Sequence, residues 1–272
     1  LITDALIWGA KKNGEAVDAA VTNGGGIRAT IKAGDITKKD VNTVLPFGNT
    51  LSIVKVTGAE LLEALEASTY CTPDALGGFP QVSGIAFTVD TTKTYDAGSL
   101  YPDSTYHAPK SINRVTIQSV GGKPFDAKAV YTIATNDFMA AGGDTYYAFK
   151  TASANYDIGA PMDEVLMDYI KTELKGVVGG TYAQPQGRIT VTKTAAPAEE
   201  PAKPVTPPAV KPAEPAADGG ETSYTVVSGD CLWNISYHFY GAGAKFTRIA
   251  SANGLKPPYL INIGQVLVIP AA

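Results

Sequence analysis

The chain has 272 residues, 44% of them hydrophobic and 18% charged, with a formal net charge of -4. That length can bury one sizeable core and leaves room for a second, smaller unit. A negative balance argues against a general affinity for polyanions, because no surplus of cations is available to displace counterions from a phosphate backbone, so nucleic acid is not an expected partner. No apolar run approaches the ~20 residues that a membrane span needs, and no span is expected.

In chain order, Leu1-Ile-Thr-Asp-Ala-Leu-Ile-Trp8 reads as an amphipathic helix entered partway, with Leu1, Ala5 and Leu6 on one side. Asp4, Lys11 and Lys12 make it unlike a signal peptide, and a preceding segment is expected. Val17 to Val21, broken only by Asp18, leads into Asn23-Gly24-Gly25-Gly26-Ile27-Arg28. Three glycines at a strand end are either a plain loop or a place where a ligand approaches free backbone N–H groups. It is not a Walker motif, since Gly-Lys-Ser/Thr is absent. Leu45-Pro46-Phe47-Gly48-Asn49 puts a phenylalanine in a turn, followed by a strand over Leu51 to Val56. Thr57 to Glu60 has capping-box spacing and Leu61, Leu62 and Leu65 follow at helical intervals, so a helix is expected from Gly58 to Ser68. Ile85–Val89, Arg114–Ile117, Ala129–Ala134 and Arg188–Val191 read as strands, and 162–174 as a helix with Val165, Leu166, Tyr169 and Ile170 on its apolar stripe. The irregular order predicts an α+β domain with a mixed sheet rather than a Rossmann fold.

Between those elements lies Asn136-Asp137-Phe138-Met139-Ala140-Ala141-Gly142-Gly143-Asp144. Phe47 or Phe138 alone reads as a core plug, and Asp144 alone as a turn residue. Together they supply two rings for a base, each stacking contact being worth ~1–3 kcal/mol, and a carboxylate for ribose hydroxyls. Arg28 adds a planar cation whose fork matches a phosphate. The two histidines, His107 and His238, read as a surface-loop residue and a helix-face residue. Cys71 and Cys231 lie far apart in segments of different composition and read as separate thiols.

From Thr194 to Gly220 the composition turns to alanine, proline, glutamate and lysine, which predicts an extended, solvated linker. The expected organisation is a first domain over 1–193, a linker over 194–221 and a small domain over 222–272. In the last, Ser223 opens a short strand, Ser228-Gly229-Asp230 a turn, and a helix follows with Leu232, Ile235 and Phe239 inward and Trp233 in the core. Val266 to Ile269 closes it as a second strand.

Asn23-Gly-Gly-Gly-Ile-Arg28, Leu45-Pro-Phe-Gly-Asn49, Gln81-Val-Ser-Gly-Ile85 and Asn136 to Asp144, in this order and spacing, closely resemble the C-terminal domain of the 5′-nucleotidase family, over about residues 1–193. The resemblance implies that Phe47 and Phe138 sandwich a base, Asp144 binds ribose hydroxyls and Arg28 contacts phosphate. It places Asn23 near base or ribose, Asn49 at the same site, and Gly84 where the backbone needs room near the nucleotide. A further phosphate-binding arginine of many relatives would lie upstream. In that family the chemistry belongs to an N-terminal domain with two metal ions held by histidines, aspartates and an asparagine. Two histidines in different domains cannot assemble such a centre, so no cofactor is expected on this chain and two divalent ions are expected in an upstream domain.

Residues 223–270 closely resemble a LysM module, a βααβ fold that binds N-acetylglucosamine glycans. The resemblance implies a sugar groove between Gly229, Asp230, Cys231 and Leu232 on one side and Tyr259, Leu260, Ile261 and Asn262 on the other, with Cys231 standing where relatives usually carry threonine. The resulting expectation is the nucleotide-binding and wall-anchoring portion of a secreted, cell-wall-associated 5′-nucleotidase, with nucleotide and peptidoglycan as partners. The alternative is a non-catalytic nucleotide- or glycan-binding envelope protein.

Overall fold

The computed structural model describes residues 1–192, 222–226, 232–240, 245–256, 261 and 265–271, without the side chains of 233, 234, 237 and 238. The chain divides into two compact units, Leu1–Thr194 and Ala195–Ala272. The linker expected over 194–221 lies outside the described residues.

The first unit opens with α1 (Ile2–Lys12), β1 (Ala19–Asn23), α2 (Lys38–Val44), β2 (Thr50–Thr57) and α3 (Gly58–Ser68). Then follow β3 (Pro80–Ser83), β4 (Ile85–Asp90), the hairpin β5 (Ala97–Leu100) and β6 (His107–Pro109), β7 (Val115–Val120), β8 (Lys123–Pro124) and β9 (Val130–Asn136). Two one-turn helices, α4 (Asp137–Ala140) and α5 (Tyr147–Lys150), precede β10 (Ala154–Pro161), α6 (Met162–Asp168) and β11 (Ile189–Thr192). One sheet has the order β10-β2-β9-β1-β3 and a second has the order β11-β4-β7-β8. Within the first, β1 and β9 run parallel while β3 against β1 and β2 against β9 are antiparallel, so the sheet is mixed as the irregular element order predicts.

Both faces of the five-stranded sheet are covered, which is why its strands lack clean polar alternation. Ala20, Leu51, Ile53 and Ala134 face α1 and α6, packing with Leu6, Val165 and Leu166. Ala19, Val21, Val54, Val56 and Ile133 face the other way, into a core shared with Leu61 and Leu65 of α3 and Phe87 and Ile117 of the second sheet. Helix α3 starts on the expected box: Glu60 Oε2 accepts the Thr57 N–H at 2.7 Å and Thr57 Oγ1 accepts the Glu60 N–H at 3.2 Å. The helix expected over 162–174 has its stripe buried, but it leaves α geometry after Asp168 and continues as a π turn over Tyr169–Glu173. His107 is half-buried in β6, not in a loop, with its Nδ1 2.9 Å from Gly98 O. Cys71 Sγ lies 3.8 Å from Asp74 O, and Cys231 falls outside the described residues.

In the second unit β12 (Thr222–Thr225) pairs antiparallel with β13 (Val266–Ile269), and α7 (Leu232–Tyr240) and α8 (Phe246–Ala252) lie between them in sequence. This is the expected βααβ order. Leu232, Ile235, Ile249, Leu267 and Ile269 form its core, with Phe239 and Ile261 packed against it.

Candidate functional site

The topology gathers most of the predicted residues at one end of the central sheet. Ala20 of β1 pairs with Ala134 of the parallel β9, so the strands' last residues, Asn23 and Asn136, emerge side by side. Leu51 of the antiparallel β2 sits opposite Asn136, which brings the preceding turn, with Phe47 and Asn49, to the same end. A turn beyond β9 carries Phe138 on α4 and then Asp144.

Phe47 is 62% exposed and Phe138 43% exposed, so neither plugs the core. The Arg28 guanidinium lies 5.9 Å from the centre of the Phe47 ring and donates from Nη1 to Gly25 O at 3.2 Å. One face of Phe138 is occupied by Gly143, where a methyl group would come within 2.6 Å of ring atoms Cζ, Cε1 and Cε2. The residue as a whole remains partly open to solvent, so ring area is left for a ligand to cover. Replacing Gly143 by alanine is therefore expected to displace the Phe138 ring and lower adenosine affinity by about one stacking contact, ~1–3 kcal/mol. Calorimetry checks this, and unaltered binding would exclude the ring as a stacking platform.

Asp144 adopts φ 53°, a left-handed conformation stabilised here by what surrounds it. Its Oδ2 accepts from Asn23 Nδ2 at 3.0 Å, and Asn23 Oδ1 accepts from Asn136 Nδ2 at 3.1 Å. Burial raises the Asp144 pKa above 3.8, with the Asn23 hydrogen bond opposing the shift. A group raised in this way stabilises the fold most fully below its unfolded value and loses that contribution as pH rises through the folded value. Ligand hydroxyls need the ionised form. Adenosine affinity is accordingly expected to fall, on acidification, along a limb centred above 3.8. A limb at or below that value in a calorimetric pH series would contradict the assignment.

A cavity of about 470 Å³ adjoins Asp144 and Phe138, walled by Tyr101, Tyr106, Tyr147 and Lys150. Asn49 is half-buried and lines a smaller cleft with Phe47 and Asn136, its own carbonyl accepting the Met162 N–H at 2.9 Å.

One open reading closes and one expectation changes. The glycine turn does not offer all its amides: Gly24 N donates to Phe79 O at 2.8 Å and Gly25 N to Gly77 O at 2.7 Å. Its glycines serve close packing of two backbone segments, since a Cβ on Gly25 would lie 3.0 Å from Gly77 Cα. Gly84 is not at the site. It stands at the far end of β1 from Asn23, at φ 73°, where a Cβ would lie 2.6 Å from Asp18 O, so its need is for room beside β1. Asn136, which joins the site through hydrogen bonds, carries no separate signal in the sequence beyond its place in the motif.

Of the expected glycan groove, Gly229, Asp230, Cys231, Tyr259, Leu260 and Asn262 lie outside the described residues, as do the side chains of Trp233 and His238. Leu232 is buried in the core of the second unit and Ile261 packs against that core.

The sequence model of the 5′-nucleotidase C-terminal domain matches residues 1–151, and that of the LysM domain residues 224–270. The fold of the first unit runs past that match, because β10 and β11 complete its two sheets. The chain is 38% identical over 172 residues to the trifunctional nucleotide phosphoesterase protein YfkN of Bacillus subtilis, covering 62% of this chain and 11% of that protein. It is 36% identical over 194 residues to the cell wall protein Lmo0130 of Listeria monocytogenes, covering 69% and 22%. It thus spans less than a quarter of either relative. A solved 5′-nucleotidase precursor from Thermus thermophilus superposes with a TM-score of 0.58 at 36% identity, covering 71% of this chain and 34% of that one. The chain belongs to the family of the 5′-nucleotidase C-terminal domain, followed here by a LysM domain.

Proposed function

We propose that this chain is the nucleotide-holding and wall-attaching portion of a secreted 5′-nucleotidase that removes phosphate from extracellular nucleotides. The observation that carries the reading is the convergence of two exposed rings, Phe47 and Phe138, with a partly buried carboxylate, Asp144, at one end of the central sheet. A base stacks on the rings, ribose hydroxyls donate to Asp144, and the guanidinium donors of Arg28 not used on Gly25 address the phosphate.

These residues do not fit the two-metal centre of the family's chemistry. Among the described residues no three His, Cys, Asp or Glu side chains are grouped to hold an ion. At the site end Asp144 is bonded to Asn23, and Asp137 Oδ1 accepts the Thr50 N–H at 3.2 Å. The chain's part is to bind and orient the substrate, and the two divalent ions belong to another domain of the enzyme. The wall-protein name of the Listeria relative and the LysM domain support a cell-envelope location.

Calorimetry with AMP on the intact chain tests the nucleotide half, and absence of binding at millimolar concentration would overturn it. Deleting 222–272 is expected to abolish co-sedimentation with purified peptidoglycan while leaving AMP binding unchanged. Retained sedimentation would place the wall contact in the first unit. A single module binds an isolated glycan weakly, so the polymer is the appropriate probe.

A further inference from the structure

The hydrogen bonds that end at Asp144 begin at a group that cannot reverse. The Met139 N–H, in the first turn of α4, donates to Asn136 Oδ1 at 2.8 Å. A backbone N–H only donates, so the oxygen of the Asn136 amide is fixed and its Nδ2 must face the other way. There Nδ2 meets Thr22 Oγ1 and Asn23 Oδ1, each at 3.1 Å. Asn23 must then accept through its oxygen, which turns its own Nδ2 onto Asp144 Oδ2 at 3.0 Å. Asn136 is 1% exposed and Asn23 6% exposed, so water does not compete along this path.

From this geometry we infer that Asn136 is a positioning residue for ligand recognition: it sets the orientation of the Asn23 amide, which holds Asp144 as a carboxylate acceptor facing the ligand. The inference rests on the reading of Asp144 as the ribose carboxylate. It also revises the role of Asn23. Its oxygen is taken by Asn136 and one N–H by Asp144, leaving one N–H for a ligand, so Asn23 acts mainly through Asp144. The specificity that follows is for ligands offering hydroxyl donors at this point.

The substitution that separates positioning from packing is Asn136→Asp, which keeps size and keeps an oxygen for the Met139 N–H. Ionised, it offers Asn23 no donor. The Asn23 amide then turns its N–H toward position 136 and its oxygen toward Asp144, where two acceptors oppose each other. The experiment compares adenosine with 2′,3′-dideoxyadenosine by calorimetry at neutral pH, using the intact chain and the variant. The unaltered chain is expected to prefer adenosine. In the variant that preference is expected to shrink roughly tenfold, the scale of a hydrogen bond to a charged group, with dideoxyadenosine binding unchanged because the rings still stack. Asn136→Ser, with a hydroxyl too short to span from Met139 to Asn23, is expected to do the same.

The outcomes are distinct. If the unaltered chain does not discriminate the two nucleosides, the ribose reading of Asp144 fails. If it discriminates and both variants discriminate equally well, the positioning role fails. If both ligands weaken in parallel with a drop in melting temperature, Asn136 is a packing residue only and the inference is overturned.

Discussion

Replacing Phe47 and Phe138 together by alanine is expected to lower adenosine affinity by roughly 2–6 kcal/mol, two stacking contacts, and so to take binding out of calorimetric range. The same change is expected to leave stability within about 0.5 kcal/mol, as for ordinary surface positions. Both halves of the expectation come from exposure: 62% for Phe47 and 43% for Phe138. A ring kept in water by the fold has little stability to lose, and apolar area to bury once a ligand arrives. The single variants are not equivalent. Loss of Phe47 also removes the ring beside the Arg28 guanidinium, so it is expected to weaken AMP more than adenosine. Loss of Phe138 uncovers Gly143 and acts on both ligands alike. Unchanged affinity in the double variant would refute the stacking assignment, and a large fall in melting temperature would make the rings structural.

The parts legible in the sequence were those governed by neighbours in the chain. Thr57 and Glu60 announce α3 because a capping box needs only a four-residue window, and Leu51 to Val56 announce β2 by composition. Thr37 and Asp40 form an equivalent box at the start of α2, but with aspartate in the place of the usual glutamate that helix is not legible from the sequence. β10 also went unplaced, since Gly159 and Pro161 read as turn residues while the strand is defined by its pairing with β2. The glycine turn stays open between two readings in the sequence for a related reason: the carbonyls that occupy its amides, Gly77 and Phe79, arrive from some fifty residues away, where nothing local advertises them. Phe47, Phe138 and Asp144 were legible as a site only because their motifs recur together. What joins them, from Asn136 through Asn23, depends on two parallel strands ending at the same level.

The largest loss of stability is expected from Glu66→Gln, a change of one atom in a side chain that is fully buried on α3. Its oxygens accept the N–H groups of Asn113, Arg114 and Val115 at 3.2, 3.0 and 2.7 Å. Arg114, 4% exposed, donates back to the end of α3 and the turn after it: to Thr69 O and Tyr70 O at 2.6 Å each, and to Thr72 O. The arginine thus supplies positive charge to the carbonyl end of the helix while the glutamate balances it. Glutamine retains one acceptor, but its NH₂ points at backbone donors and the buried arginine loses its counter-charge. A buried backbone donor left without its acceptor costs about 1–3 kcal/mol, a large share of the 5–15 kcal/mol that holds a typical domain. Urea denaturation measures it directly, and a change below about 1 kcal/mol would mean that water or a shifted side chain replaces the missing acceptor. The consequence reaches the site through the chain itself. Arg114 holds the start of the segment whose later residues Gly77 and Phe79 bond the glycine turn after Asn23, and whose Gly78 lies so close to Asp144 that a Cβ there would come within 3.1 Å of the Asp144 Cβ. Adenosine binding in Glu66→Gln is therefore expected to fail on heating below the global melting temperature, as the segment from Thr69 to Phe79 loosens first and releases the Asp144 carboxylate from its orientation.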